Sequence, residues 1–159
     1  MDRYYIVEVK VREEFFYLLW QDDLFVLSDQ DLLVCRSVDD LKDFISRNEI
    51  LADETVEKYD LDAVMEMIPQ VEDSEKCNTV LICWNLLSDL SRTLETEFLG
   101  DNDREDVVTL YEKLVLGSNI PALKNEEYHP VLSDEECDLL ESIIRSGMEL
   151  FQEALKNRM

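Results

Sequence analysis

The chain has 159 residues, 46% of them hydrophobic, so it is long enough to form one domain with a sizeable core. Its 38 Asp and Glu residues face only 15 Lys and Arg residues, which gives a formal net charge of −23. This charge disfavours direct binding to nucleic acid or to an anionic membrane surface, because a phosphate-binding face has to be basic. The complementary partner is a basic macromolecule.

The sequence also indicates where such a protein acts. The first residues do not show the basic and apolar pattern of a signal peptide, and no apolar run approaches the roughly 18 residues of a membrane span. None of the four cysteines belongs to a CxxC pair, and each lies within an apolar pattern, so they are predicted to be free, buried thiols: Cys35, Cys77, Cys83 and Cys137. These features favour a cytoplasmic protein.

The N-terminal residues 1–36 are predicted to form an antiparallel β-meander of three to four strands. In the first strand apolar residues alternate with polar ones and fall on one face: Tyr5, Val7, Val9 and Val11. The second is apolar on both faces, which indicates an interior strand. Short polar turns separate the four predicted strands, at residues 5–11, 15–20, 24–27 and 32–35. Such a sheet requires a helical layer on its apolar face.

Residues 37–159 are predicted to be the helical part of the same domain, with four to five α-helices, so the fold class is α+β. The first helix begins at Ser37, a good capping residue, and is followed by an acidic first turn. A short second helix is predicted at residues 61–68, before Pro69.

Two further helices are predicted near the C-terminus. One covers residues 106–116 and is closed by Gly117. The other begins with a capping box of Ser133 and Glu136, and Gly147 on its inward face permits a close helix approach. The apolar stripe of this last helix is predicted to comprise Cys137, Leu140, Ile144, Met148, Phe151 and Leu155.

A long helix at residues 77–98 organises the chain, because it is too apolar to lie on the surface. Its broad buried face is predicted to contain Val80, Cys83, Trp84, Leu87, Leu90, Leu94 and Phe98, with flanks formed by Leu81, Ile82 and Leu86. A narrow polar stripe lies opposite: Asn78, Asn85, Asp89, Arg92 and Thr96. This stripe is either the helix's window to solvent or a set of groups that satisfy one another inside the protein. The stripe has either a structural role or, as the second alternative, a role in the recognition of a partner.

The most acidic part of the chain lies between the first and the long helix. A run of like charges is typical of a solvated face, but it is also the natural contact for a basic partner. The candidate partner-binding residues are Asp39, Asp40, Asp43, Asp53, Glu54, Glu57, Asp60, Asp62, Glu66, Glu72 and Asp73.

Signals for catalysis are weak. The three glycines are isolated, so the sequence contains no phosphate-cradling loop. The single histidine, His129, has no neighbouring nucleophile, and the sequence lacks the Cys/His clusters of a zinc site. With so many acidic residues, a chance carboxylate pair carries no information. We therefore predict a non-enzymatic protein without a metal or other cofactor.

Several segments of the second half, within residues 77–155, resemble small immunity proteins of bacterial polymorphic-toxin systems, in particular those of contact-dependent growth inhibition. The resemblance rests on residues 84–89, 111–114, 119–123 and 128–130 and on the helix that begins at Ser133. It implies a cytoplasmic protein that binds one cognate toxin domain, often a basic nuclease, and blocks its active site. The resemblance carries over no catalytic or metal-binding residues.

The favoured hypothesis is therefore an immunity protein whose acidic surface covers the active site or substrate groove of a basic toxin nuclease. One alternative is an acidic nucleic-acid mimic or adaptor that binds a basic host protein. The other is an enzyme that uses an unrecognised carboxylate pair.

Overall fold

A computed structural model describes residues 3–71, 73–118 and 132–156 of the chain. A mixed β-sheet in the N-terminal part is combined with five α-helices, which confirms the α+β prediction. Among the described helices, none has both the length and the apolar composition that are needed to cross a bilayer.

Three strands form the predicted antiparallel meander: β1 (Tyr4–Val11), β2 (Glu14–Gln21) and β3 (Leu24–Phe25). Strand β2 lies between β1 and β3, so the prediction of an interior strand is confirmed. Each connection is a two-residue turn with positive φ at both positions, the geometry that matches the twist of a hairpin. The turn residues are Arg12, Glu13, Asp22 and Asp23.

The predicted third and fourth strands are shorter than expected, and only parts of them belong to a second sheet. Strands β4 (Leu27–Ser28) and β5 (Asp31–Leu32) pair only with each other, in a small antiparallel hairpin. Further along, Cys35 forms a single bridge to Tyr17 of β2. The predicted strand at residues 24–27 is therefore divided between two sheets, and the one predicted at 32–35 is mostly irregular.

Helix α1 (Val38–Arg47) covers one face of the main sheet, and its N-terminus is formed as predicted. The Ser37 Oγ accepts a hydrogen bond from the Asp40 backbone N–H at 3.1 Å. The helix contributes to a small core on this face: Ile6, Leu19, Leu33 and Leu41. The opposite face carries the larger core, so the sheet is covered on both faces and not on the single face that was predicted.

Strand β6 (Ala52–Asp60) corrects the prediction that the chain beyond residue 36 is helical. It pairs in parallel with β1 and forms an edge of the main sheet. The strand was missed because its sequence is acidic and lacks apolar alternation. Its apolar side chains are divided between the faces, since Val56 packs against the small core and Tyr59 against the large one.

Four helices cover the larger core: α2 (Leu61–Met67), α3 (Ser74–Leu94), α4 (Glu105–Gly117) and α5 (Asp134–Lys156). Helix α2 confirms the short helix that was predicted before Pro69, which lies in a 3-10 turn, Ile68–Gln70. In α4, Gly117 is the last helical residue and has no positive φ, so the prediction that it closes the helix from outside was wrong.

Helix α3 is the predicted central helix, and Val80, Trp84 and Leu87 are buried as expected. It ends earlier than predicted, at Leu94, because Glu95 adopts a left-handed conformation with φ of 53°. Three side chains differ from the prediction, and one of them, Leu94 at the end of the helix, is half-buried instead of buried. Phe98 is buried, but from the segment beyond the helix, and Ile82 is 42% exposed although it was assigned to the apolar flank.

Helix α5 confirms two details of its sequence. Glu136 N–H donates to Ser133 Oγ at 3.1 Å while Ser133 N–H donates to Glu136 Oε1 at 2.9 Å, which completes the capping box. A Cβ added at Gly147 would lie 2.4 Å from Leu87 Cδ1, so α3 and α5 approach closely there. The predicted stripe is buried at Leu140, Ile144, Met148 and Phe151 and half-buried at Cys137, while the side chain of Leu155 is outside the described part.

The cysteines form no disulfide, and the prediction of full burial holds for Cys77 and Cys83 only. Cys35 and Cys137 are half-buried. Burial raises the pKa of Cys83 to about 12, which keeps its thiol protonated at neutral pH.

Candidate interaction surface

The structure does not collect the predicted acidic residues on one face. Helix α1, with Asp39, Asp40 and Asp43, packs on the small-core side of the sheet, whereas α2, with Asp62 and Glu66, packs on the other side. Strand β6 carries the next group at the sheet edge: Asp53, Glu54, Glu57 and Asp60. Glu72 lies outside the described residues. A partner would therefore meet different subsets of these residues from different directions.

Several of these carboxylates stabilise the fold. Asp60 Oδ1 accepts from Ala63 N–H at 2.9 Å, and Asp73 Oδ1 accepts from Lys76 N–H at 2.8 Å, so these two residues cap α2 and α3. Asp62 accepts from the backbone N–H groups of both residues of the β1–β2 turn, at 2.7 and 2.8 Å. The backbone N–H of Thr55 lowers the pKa of Asp53, which also pairs with Arg3. Removing these groups would affect folding as well as any binding.

Most of the other predicted carboxylates are exposed to solvent. Five of them make no side-chain hydrogen bond or ion pair with another described residue: Asp39, Asp40, Asp43, Glu54 and Glu66. Glu57 is half-buried and accepts from the Tyr59 hydroxyl at 3.2 Å.

Some residues of the polar stripe of α3 are only exposed to solvent, and others form hydrogen bonds within the protein. Each of the two alternatives from the sequence therefore applies to part of the stripe. Asp89 accepts from the Trp20 indole N–H at 3.0 Å and from Arg92 Nη1 at 3.2 Å. Arg92 Nη1 also donates to the Asp23 carbonyl at 3.3 Å, and Asn85 Oδ1 accepts from the Tyr111 hydroxyl at 2.9 Å. Two other members, Asn78 and Thr96, are exposed, and Thr96 lies beyond the end of the helix.

A cleft of about 430 Å³ lies between α3 and the sheet, and we call it the Trp20 cleft. Its lining includes Trp20, Asp23, Tyr59, Ile82, Asp89 and Arg92. Burial raises the pKa of Asp89, the Trp20 hydrogen bond opposes this rise, and the nearby Asp23 adds to it. Burial also raises the pKa of Tyr59, with a contribution from Glu57. The Asp89 carboxylate and the Arg92 guanidinium group of this cleft are already paired with each other.

A second cleft of about 580 Å³ lies between α3 and α4, and we call it the Tyr111 cleft. Its floor includes Trp84, whose indole N–H donates to the Gly100 carbonyl at 3.2 Å. The Tyr111 ring packs edge-on against the Trp84 ring, with centroids 5.1 Å apart. Among the described residues, the charged side chains that line it are all acidic: Asp101, Asp103 and Glu112.

The two clefts flank the exposed side of α3, and both are lined by Asn85 and Ser88. We call this side of the molecule, with both clefts, the α3 face. It also exposes two apolar side chains, Ile82 at 42% and Val108 at 43%. An apolar and aromatic centre inside a charged rim is the usual composition of a protein-binding surface. The sequence indicated the α3 stripe but not Trp20, Tyr59 or Tyr111, because these residues come from distant segments.

A larger cleft, of about 680 Å³, lies at the N-terminal ends of α4 and α5. Two of its carboxylates form ion pairs within the chain, since Arg104 Nη2 lies 2.7 Å from Asp106 Oδ2 and Lys113 Nζ lies 2.9 Å from Glu136 Oε1, whereas Glu105 and Glu135 form no ion pair with another described residue. The hydrogen bond from Arg104 lowers the pKa of Asp106. This cleft has a larger volume than the Tyr111 cleft, but its lining contains the basic Arg104 as well as carboxylates.

The described residues also contain no group of three or more His, Cys, Asp or Glu side chains placed to hold a metal ion. The histidine that the sequence analysis singled out, His129, lies outside the described residues, as do residues 119–123 and 128–130 of the family resemblance. Comparison of the chain with protein-family models, curated proteins and solved structures gives no significant match.

Proposed function

We propose that this protein is an immunity protein of a bacterial polymorphic-toxin system. It binds a cognate toxin domain, a basic nuclease, and neutralises it by covering the active site or substrate groove with an acidic surface. It acts in the cytoplasm and does so without catalysis. The observation that carries the proposal is a net charge of −23 on a chain that folds around a well-packed core.

The distribution of charge supports binding. Within the described residues, ion pairs to Arg or Lys involve only a minority of the carboxylates: Glu14, Asp53, Asp60, Asp89, Asp106, Glu136 and Glu141. The remaining negative charge is not neutralised internally and would repel itself in the folded state. A basic partner relieves this repulsion, and the long-range field accelerates the encounter by about 10- to 1000-fold at low salt.

The α3 face supports specificity. Charge alone attracts many basic proteins, whereas a particular partner requires apolar and aromatic anchors in a fixed arrangement. Tyr111 is held by its hydrogen bond to Asn85 and by ring packing, and Trp20 is held by Asp89. Rigid side chains lose little conformational freedom on binding, so they suit a tight inhibitor.

The proposal predicts that a secreted protein with a toxin domain at its C-terminus is encoded beside this gene, and the test uses that domain. The purified domain is titrated with the full chain at about 50 and 500 mM salt, and its nuclease activity is measured in parallel. We expect a stoichiometric complex that weakens with salt, and complete inhibition at one equivalent. An unrelated nuclease of similar positive charge serves as the control and should remain active.

Failure to bind the neighbouring domain at either salt concentration would contradict the proposal. Recovery of a basic host protein instead, from cells that lack the toxin gene, would favour the nucleic-acid mimic or adaptor. An activity of the isolated chain that a single Asp or Glu substitution abolishes without unfolding would favour an enzyme.

A further inference from the structure

We propose that the Tyr111 cleft binds an arginine side chain of the partner domain. This inference rests on the proposed function and adds to it the contact surface and the chemistry of the group that is recognised. No other part of the described chain covers the α3 face, and the charge of this cleft determines which kind of side chain binds there.

The charge of the Tyr111 cleft favours a basic ligand. Every charged side chain among the described residues that line it is acidic, whereas the neighbouring Trp20 cleft contains Arg92. The Asp103 and Glu112 side chains are exposed and have no hydrogen bond or ion pair to another described residue. They are therefore available to accept paired N–H···O bonds from a guanidinium group.

The side chains of the Tyr111 cleft are held rigidly. Asp101 is fixed because its Oδ1 and Oδ2 accept from the hydroxyls of Ser88 and Ser91, at 2.5 and 2.9 Å. Tyr111 is fixed by its hydrogen bond to Asn85. The cleft consequently keeps its shape without a ligand, and a partner loses little free energy in ordering it.

An arginine side chain fits this cleft better than lysine or other ligands. A planar guanidinium stacks on an aromatic ring while it binds a carboxylate, whereas an ammonium group is a more strongly hydrated point charge. Tyr111 provides the ring, and Val108 provides adjacent apolar surface for the residue next to the arginine. Phosphate groups and a second copy of this acidic chain are disfavoured, because both would bring negative charge to a negative rim.

The first experiment compares two variants of equal charge and similar shape in the toxin-domain titration. The cleft variant carries Asp103→Asn and Glu112→Gln. The control variant carries Asp138→Asn and Glu149→Gln, which are also exposed carboxylates without a hydrogen bond or ion pair to another described residue and which lie on α5, outside the lining of the Tyr111 cleft. We expect the cleft variant to bind at least about tenfold more weakly than the control. Equal affinities, with the wild type binding normally, would overturn the inference and leave the proposed function intact.

The second experiment does not need the toxin domain. The ¹⁵N-labelled full chain is titrated with N-acetylarginine amide and with its neutral citrulline analogue, and the two indole N–H signals are followed by NMR. Trp84 lines the Tyr111 cleft and Trp20 the other cleft, so Trp20 is an internal reference. We expect a saturable shift of the Trp84 signal with arginine in the wild type and the control variant, and its loss in the cleft variant.

A Trp84 signal that does not move, or that moves equally in the cleft variant, would overturn the inference. A specific Trp84 response combined with no binding of the toxin domain would overturn the proposed function but not the arginine site. The two experiments together therefore separate the two proposals.

Discussion

The indole N–H of Trp20 donates to Asp89 Oδ2 at 3.0 Å and joins strand β2 to the central helix. The Asp89 side chain is only 13% exposed, so its charge is held close to the core by this bond and by Arg92. Burial nevertheless raises the pKa of Asp89 above the ordinary 3.8. The folded state thus holds Asp89 in an environment that favours the protonated, neutral form of its carboxyl group.

Replacing Asp89 with Asn should change how stability depends on pH. Because the pKa of Asp89 is raised in the folded state, the folded protein binds this proton more tightly than the unfolded chain. The contribution of Asp89 to the unfolding free energy of the wild type therefore falls as pH rises from about 3.8 through the raised pKa. Asn keeps an acceptor for Trp20 but does not titrate. We expect the unfolding free energy of the wild type minus that of Asp89→Asn to fall over this range and to level off above it.

Urea unfolding at a series of pH values from about 3.5 to 7 measures this difference. Asp43→Asn is the control for removal of one exposed surface charge. A difference that stays flat or increases with pH would contradict the assignment of a destabilised carboxylate to Asp89.

The Asp62 carboxylate should matter for folding, whereas Glu66 on the same helix should not. Asp62 accepts two backbone N–H groups from a turn whose two residues both have positive φ. Loss of these bonds in Asp62→Ala should lower the unfolding free energy by about 1–2 kcal/mol. Glu66 is exposed and has no described partner, so Glu66→Ala should change it by less than about 0.5 kcal/mol.

Equilibrium urea unfolding of the two variants provides the measurement. Equal stability of the two variants would show that the β1–β2 turn does not depend on Asp62. A binding assay that uses charge changes at Asp60 or Asp62 should include this stability measurement, because both residues also hold backbone N–H groups.

Features with local causes were predicted well from the sequence. The alternation in β1, the Ser37 cap and the Ser133–Glu136 capping box each depend on residues within a few positions of one another. These interactions form whenever the local backbone does, so a single sequence is enough to recognise them.

Features with non-local causes were missed. Strand β6 exists because β1 offers it a partner some fifty positions away, and its own acidic sequence does not favour a strand. The Tyr111 cleft combines residues of α3, α4 and the segment between them, so no single window of sequence contains its pattern. The sequence identified the exposed stripe of α3 but could not identify what lies on either side of it.

The end of α3 offers a test of backbone conformation. Glu95 has φ of 53° and ψ of 47°, a left-handed conformation that costs a residue with a side chain about 1–2 kcal/mol. Glu95→Gly should therefore raise the unfolding free energy by about 0.5–1 kcal/mol, after allowance for the greater freedom of glycine in the unfolded chain. Glu97→Gly removes the same charge at an exposed position without positive φ, and it should not stabilise. If both changes stabilised the protein, the loss of a negative charge, and not the left-handed backbone conformation of Glu95, would explain the effect.

The close approach of α3 and α5 predicts a specific coupling between Gly147 and Leu87. A Cβ at position 147 would lie within 3.0 Å of Leu87 Cγ, Cδ1 and Cδ2, and Leu87 is only 1% exposed, so it has little room to move. Gly147→Ala should lower the unfolding free energy by about 1–3 kcal/mol, although alanine favours a helix.

A double-mutant cycle with Leu87→Ala distinguishes this steric conflict from a general effect of the substitution. Leu87→Ala alone leaves a cavity and should cost about 2–5 kcal/mol, but it also removes the atoms that the new methyl group would meet. Gly147→Ala should then cost less in the Leu87→Ala background than in the wild type, with a coupling energy of about 0.5–3 kcal/mol by urea unfolding. Additive costs would mean that α5 shifts away from α3 to accommodate the methyl group, and that Gly147 does not fix the distance between the two helices.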